Sequence, residues 1–263
     1  MRGIALVFAG GGGKGAYQVG VWKAMREFDM DNRITAVSGA SVGGLNGILF
    51  AQGDYEAAER IWLSMSDEKI LTPGKKTLAQ GLDELAERGL LSQAVSALKE
   101  GMFTRDGLLQ IIRKELDVTR IARRQIPCYA ACYNITDNVM DYFNLTGMNQ
   151  RDVETILLAT SALPGIFEPV RFGNCLYLDG GIRDNVPVRP LYNAGYRDFL
   201  VVHLSREGYV DEADFPGANI VQIVPSEDQG DFMTGTLDFS SEGARQRLGQ
   251  GYEDGKKFFS ISF

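Results

Sequence analysis

Twice within its first fifty residues the chain runs from a short apolar segment, through a glycine turn, into a helical pattern. No other feature constrains the fold as strongly. Gly3-Ile4-Ala5-Leu6-Val7-Phe8 is the continuous apolar run expected of a strand buried on both faces. It ends in Gly10-Gly11-Gly12-Gly13-Lys14-Gly15, after which Ala16, Val19, Trp22 and Met25 recur at helical spacings. Ile34 to Val37 is a second strand, and Gly39-Ala40-Ser41-Val42-Gly43-Gly44 turns it into a helix through Leu45, Ile48, Leu49 and Phe50. Strand, turn and helix repeated in this order predict an α/β fold with a parallel sheet.

From about Asp54 to Leu116 the pattern is helical. Leu78, Leu82, Leu85, Leu91, Ala94, Val95 and Leu98 mark one apolar stripe, and Thr104 or Asp106 is placed to cap the helix that follows. Pro127 to Ile135 and Val139 to Leu145 read as strands joined by a Thr136-Asp137-Asn138 turn. A helix through Val153, Ile156 and Leu157 stops near Leu163-Pro164-Gly165. Strands are expected at Leu176 to Leu178, Phe199 to Leu204 and Ile220 to Val224, and a polar helix from about Ser240 to Lys257. With no linker, repeat or low-complexity stretch, residues 1–263 are expected to form one domain with a helical insertion at about 66–116.

Composition narrows the function classes. No apolar run reaches the roughly 18–20 residues of a membrane span. The opening residues lack the apolar length of a secretory signal, and three cysteines form no disulfide framework, so a reducing, cytoplasmic setting is expected. Net charge −7 disfavours nucleic acid as the main partner. The chain has one histidine, His203, which excludes His-rich metal sites and leaves a single imidazole for acid–base chemistry.

Gly39-Ala40-Ser41-Val42-Gly43 is a Gly-x-Ser-x-Gly motif between a strand and a helix. A serine on that sharp turn is pushed out of the sheet, and the flanking glycines permit close backbone approach. The alternative is a serine that only caps the following helix. Gly10 to Gly15 also fits a dinucleotide turn, but the second strand lacks the acidic end that such a site needs. Nor does it match a phosphate-binding loop, because Gly15 follows Lys14 where Ser or Thr is required. It remains a turn of free N–H groups beside Ser41, which is what an oxyanion hole requires.

Two residues compete as the base. The order Ser41, Asp179, His203 matches an α/β-hydrolase triad. However, Ser41 follows only the second strand, and His203 ends an apolar run, where a packed histidine is expected. Asp179 follows Leu176-Tyr177-Leu178 and precedes Gly180-Gly181, which places it at the C-terminal end of a strand, where open α/β sheets hold their sites. A simple turn aspartate is the alternative.

Together these pieces resemble the patatin-like phospholipase family, in its bacterial form. Gly10 to Gly15 matches the family's oxyanion loop, Gly39 to Gly43 its nucleophile motif, and Asp179-Gly180-Gly181 its aspartate motif. Ala162 to Val170 resembles the segment before that aspartate, and Asn185-Val186-Pro187 the usual continuation. The resemblance covers most of residues 3–205. It implies a three-layer α/β/α fold and a Ser41–Asp179 dyad, with N–H donors from Gly11, Gly12 and Gly13 and no metal or organic cofactor. It also implies acyl hydrolysis of phospholipid or a related lipid. A general esterase or thioesterase on the same dyad is one alternative, and a non-catalytic anion-binding module is another.

Other residues carry weaker expectations. Cys128 and Cys132 share one strand face and are expected in the core rather than on a metal. Arg120, Arg123 and Arg124 read as a solvated turn before a head-group contact. Lys14 either assists an anionic substrate or solvates its turn. The stripe from Leu78 to Leu98 packs on the sheet or serves as a lid against lipid. Peripheral membrane contact would then rest on apolar surface rather than on charge.

Overall fold

A computed structural model describes residues 3–73 and 103–262 of the protein. Its strands are β1 (Ile4–Phe8), β2 (Ile34–Ala40), β3 (Thr72–Pro73), β4 (Phe103–Thr104), β5 (Cys128–Asn134), β6 (Val139–Asn144), β7 (Val170–Phe172), β8 (Cys175–Asp179), β9 (Asp198–Val202) and β10 (Asn219–Ile223). Its helices are α1 (Ala16–Glu27), α2 (Val42–Gln52), α3 (Tyr55–Ser64), α4 (Asp67–Ile70), α5 (Asp106–Glu115), α6 (Val118–Arg124), α7 (Gln150–Thr160), α8 (Arg189–Asn193) and α9 (Ser241–Ser262).

Eight strands form one sheet in the order β10-β9-β1-β2-β5-β8-β7, with β6 paired to β5 beside this path. The sheet is mixed. The pairs β10–β9, β9–β1, β1–β2 and β2–β5 are parallel, whereas β5–β6, β5–β8 and β7–β8 are antiparallel. The expected hairpin is present: Asn134 faces Val139 across the turn. β5 changes partner along its length, pairing with β2 through Ala131 and with β8 from Cys132, which is opposite Asp179. This switch brings the ends of β2 and β8 together.

Side-chain alternation explains the layers. Leu6 and Phe8 of β1 point into a core shared with α1, α2, α3 and α9, while Ala5 and Val7 point into a second core with Val188, Leu191 and Phe215. Helices therefore cover both faces, giving the three-layer α/β/α arrangement. Cys128 and Cys132 lie fully buried in the first core.

The middle of the chain departs from a simple helical reading. α3 and α4 lead into β3, which forms a small antiparallel ladder with β4. The N-cap of α5 is Arg105 rather than Thr104 or Asp106. It makes no side-chain cap, and Asp106 instead begins the first turn. The whole Leu78 to Leu98 stripe, and most of the expected insertion, lies outside the described residues. Among the described residues, no helix is long and apolar enough to cross a membrane.

Candidate active site

Ser41 sits between β2 and α2 with φ 53° and ψ −127°, a region that residues with a side chain avoid at a typical cost of about 1–3 kcal/mol. The flanking glycines make the turn feasible. A Cβ on Gly39 would fall 2.2 Å from the Gly43 carbonyl, and one on Gly43 would fall 2.3 Å from the Phe8 carbonyl. Although Ser41 occupies the N-cap position of α2, its side chain makes no capping bond to that helix. Its hydroxyl instead lies beside the carboxylate of Asp179, close enough to favour the charged form of that group.

Asp179 closes β8 and is 3% exposed. Its Oδ1 accepts the N–H of Gly181 at 2.7 Å, and its own N–H donates to the Ala162 carbonyl at 2.9 Å. Burial raises its pKa to about 6, against the opposing effect of the Ser41 hydroxyl and the Gly181 N–H, which favour the charged form. The carboxylate is thereby a stronger base than an exposed aspartate.

The glycine loop lies beside this pair. Residues Gly12 to Gly15 form a single 3₁₀ turn, and the N–H groups that open such a turn have no partner within it. Gly12 has φ +56°, and a Cβ there would lie 2.1 Å from the Thr236 carbonyl. Gly10 is held differently, since its N–H donates to the Asn185 carbonyl at 3.0 Å and its carbonyl accepts from Asn185 Nδ2 at 3.2 Å. Asn185 thus ties the aspartate loop to the glycine loop, a role that its sequence motif did not reveal.

A cavity of about 380 Å³ opens at this point. Gly10, Gly11, Gly12, Ser41, Asp179, Gly181 and Asn185 form its polar end. Leu45, Trp62, Leu108, Ile112, Leu157, Phe167 and Leu237 extend it as an apolar pocket. Gly13, expected as a third donor, does not line the cavity and is buried against the Asp238 carbonyl. Lys14 does line it, and burial lowers the pKa of its ammonium, partly offset by Asp228.

A segment that sequence reading left blank completes the wall. Phe232 to Thr236 form one π-helical turn, capped by Asp231, and Phe232, Thr236, Leu237 and Phe239 face the cavity. The buried Arg247 of α9 holds this strap, donating to the carbonyls of Thr234 and Asp238 and pairing with the Asp238 carboxylate at 2.8 Å.

His203 is elsewhere. It is 2% exposed, does not line the cavity, and its Nε2 donates to Gln222 Oε1 at 2.8 Å. Burial lowers its pKa, so the ring stays neutral. Arg120 pairs with Asp54 at 3.0 Å on the surface of α6. Among the described residues, no group of three His, Cys, Asp or Glu side chains is arranged to hold a metal ion.

Comparison with known proteins agrees with this geometry. Residues 6–192 match the family model described as patatin-like phospholipase. The lysophospholipase NTE1 of Cryptococcus neoformans var. neoformans serotype D (strain JEC21) is 29% identical over 209 residues, which are 80% of this chain and 11% of that protein. An uncharacterised NTE family protein of Mycobacterium tuberculosis (strain H37Rv) is 25% identical over 205 residues, 78% of this chain and 49% of that protein. The chain therefore spans half or less of the length of these relatives. Among solved structures, VipD from Legionella pneumophila superposes with a TM-score of 0.53 at 15% identity, covering 99% of this chain and 67% of that one. Human GIVD cytosolic phospholipase A2, in complex with methyl gamma-linolenyl fluorophosphonate, gives 0.53 at 11% identity, covering 99% of this chain and 58% of that one. These two likenesses bear on the fold, and the family match rests on the stretch that carries Ser41, Asp179 and the glycine loop: the chain belongs to the patatin-like phospholipase family.

Proposed function

We propose that this protein is a serine hydrolase that cleaves acyl ester bonds of phospholipids or related lipids, with Ser41 as nucleophile and Asp179 as base. The observation that carries this reading is the placement of the strained Ser41 beside the buried carboxylate of Asp179, at the polar end of an apolar cavity. Its volume of about 380 Å³ lies near the lower end of small-molecule sites, which suits one acyl chain better than two. The Cryptococcus relative is named a lysophospholipase, which fits a single-chain substrate.

In this mechanism Asp179 takes the Ser41 proton as the oxygen attacks the ester carbonyl carbon. The N–H groups of Gly11 and Gly12, which line the cavity, stabilise the oxyanion. Collapse of the tetrahedral intermediate expels the alcohol or lysolipid, protonated by Asp179. Water, deprotonated by Asp179, then attacks the acyl-enzyme, and Asp179 returns that proton to the Ser41 oxygen as the fatty acid leaves. Every step uses this chain's own groups. The working location is the cytoplasm, with peripheral contact at lipid surfaces.

The test is covalent labelling and turnover together. A fluorophosphonate probe should modify Ser41, and Ser41→Ala should abolish both labelling and hydrolysis of a short-chain p-nitrophenyl ester. An unlabelled, folded wild-type protein would favour a non-catalytic binding module. A panel of phospholipids, lysophospholipids, acylglycerols and acyl-CoA then separates a phospholipase from a general esterase or thioesterase.

A further inference from the structure

The N–H of Ser41 does not face the cavity as a free donor. It donates to Thr160 Oγ1 at 3.0 Å, across 119 residues of sequence. Thr160 is fully buried, ends α7, and donates its own hydroxyl proton to the Ala131 carbonyl at 2.6 Å. Ala131 adjoins Cys132, which pairs with Asp179 in the sheet. Two residues further on, the Ala162 carbonyl accepts the N–H of Asp179 at 2.9 Å. The C-terminal end of α7 therefore holds the backbone of both Ser41 and Asp179, while Thr160 itself does not line the cavity.

We propose that Thr160 is a positioning residue for acyl transfer, its hydroxyl fixing the strained Ser41 turn so that the Ser41 oxygen stays aligned with Asp179. This inference rests on the serine-hydrolase reading above. The physical reason is that Ser41 adopts a backbone conformation which the chain would leave unless its neighbours hold it. A single hydroxyl does this by accepting from Ser41 and donating to the β5 strand. Both of its hydrogen-bonding roles are used, so no water or substrate group is needed to satisfy it. The methyl group of Thr160 contributes packing near Gly44, and that contribution is separable from the hydroxyl by substitution.

Thr160→Val keeps the shape and removes both hydrogen bonds, while Thr160→Ser keeps the hydroxyl and removes the methyl. With a soluble short-chain p-nitrophenyl ester, Thr160→Val should lose kcat by about 10- to 100-fold, the scale that a displacement of about 1 Å costs a reacting group. KM should stay near wild type, and the rate of fluorophosphonate labelling at Ser41 should fall in proportion to kcat. Thr160→Ser should restore kcat to within a few-fold. If Thr160→Val is poorly folded, Thr160→Ala read against Thr160→Ser gives the same comparison, with near-UV circular dichroism confirming the fold. Wild-type kcat in a folded Thr160→Val or Thr160→Ala protein would overturn the proposal, as would equal losses in Thr160→Ser and Thr160→Ala. Ser41→Ala serves as the control. If it is inactive, either result concerns Thr160 alone; if it is fully active, the serine reading falls, and this role with it.

Discussion

The Ser41 hydroxyl lies beside an Asp179 carboxylate that burial has lifted to a pKa of about 6. The base form must predominate for proton transfer, so kcat/KM should rise with pH along a limb centred near pH 6. Titrating a soluble ester assay from pH 4 to 8 checks this, and a limb near pH 4 would show that the carboxylate behaves as an exposed one.

The same shift affects stability with the opposite sign. A carboxyl whose folded pKa lies above its unfolded value of 3.8 stabilises the fold when protonated, and that contribution is lost as pH rises through about 6. At pH 8 the ionised Asp179 is therefore a cost. Asp179→Asn should abolish turnover yet raise stability at pH 8 by up to about 3 kcal/mol, with little gain at pH 4. Urea titrations at the two pH values measure the difference. Equal changes at both would mean that lost hydrogen bonds, not charge burial, dominate.

His203 tests the dyad from the other side. It is neutral, faces Gln222, and lies away from the cavity. His203→Ala should keep kcat within a few-fold of wild type and lose about 1–2 kcal/mol of stability through the missing hydrogen bond. Loss of turnover in a folded His203→Ala protein would restore the triad.

How much of this site was legible in the sequence depended on the distance over which each residue acts. Ser41, Asp179 and Gly10 to Gly15 announce themselves because their constraint is local: a tight turn needs glycine within a few residues. The burial of β1 on both faces and the Thr136-Asp137-Asn138 turn were readable for the same reason. Thr160, Asn185 and Arg247 act through hydrogen bonds to partners fixed only by the fold, or on a strap with no periodic pattern. β7 was missed because Val170 to Phe172 is too short to show alternation. The antiparallel half of the sheet arises from the partner switch in β5, which no local pattern encodes.

A buried chain of side chains beneath the glycine loop gives a further prediction. Asn46 accepts from Trp62 Nε1 at 2.9 Å and donates to Gln18 Oε1 at 2.8 Å and the Gly15 carbonyl at 3.0 Å; Gln18 in turn donates to the Ala9 carbonyl at 2.8 Å. The network thus fixes both ends of the loop to the helix that follows Ser41. Asn46→Leu leaves three buried groups without that partner, at about 1–3 kcal/mol each. The expected loss exceeds about 3 kcal/mol by urea denaturation, and a loss below about 1 kcal/mol would mean that the three groups find new partners.

The strap behind the loop gives the last prediction. A Cβ on Gly12 would meet Thr236 at 2.1 Å and one on Gly13 would meet Asp238 at 1.9 Å, so the strap backbone sets how far the loop can retreat from Ser41. Arg247 holds that backbone at Thr234 and Asp238. Burial raises the Asp238 pKa, but the Ser240 hydrogen bonds and then Arg247 outweigh it and hold the group below its ordinary value. A depressed carboxyl contributes stability above its unfolded pKa and loses it as pH falls through the folded value, so the clamp should loosen only in strong acid. Arg247→Met removes it at every pH. The variant should lose about 2–3 kcal/mol, less than a fully buried pair because Asp238 retains partial solvent contact. It should also lose kcat on short and long esters alike, since the glycine loop loses its backing at Gly12 and Gly13, and raise KM mainly for long chains that touch Phe232 and Leu237. Steady-state kinetics on an ester series separates these effects: a KM change without a kcat change would confine the strap to substrate binding.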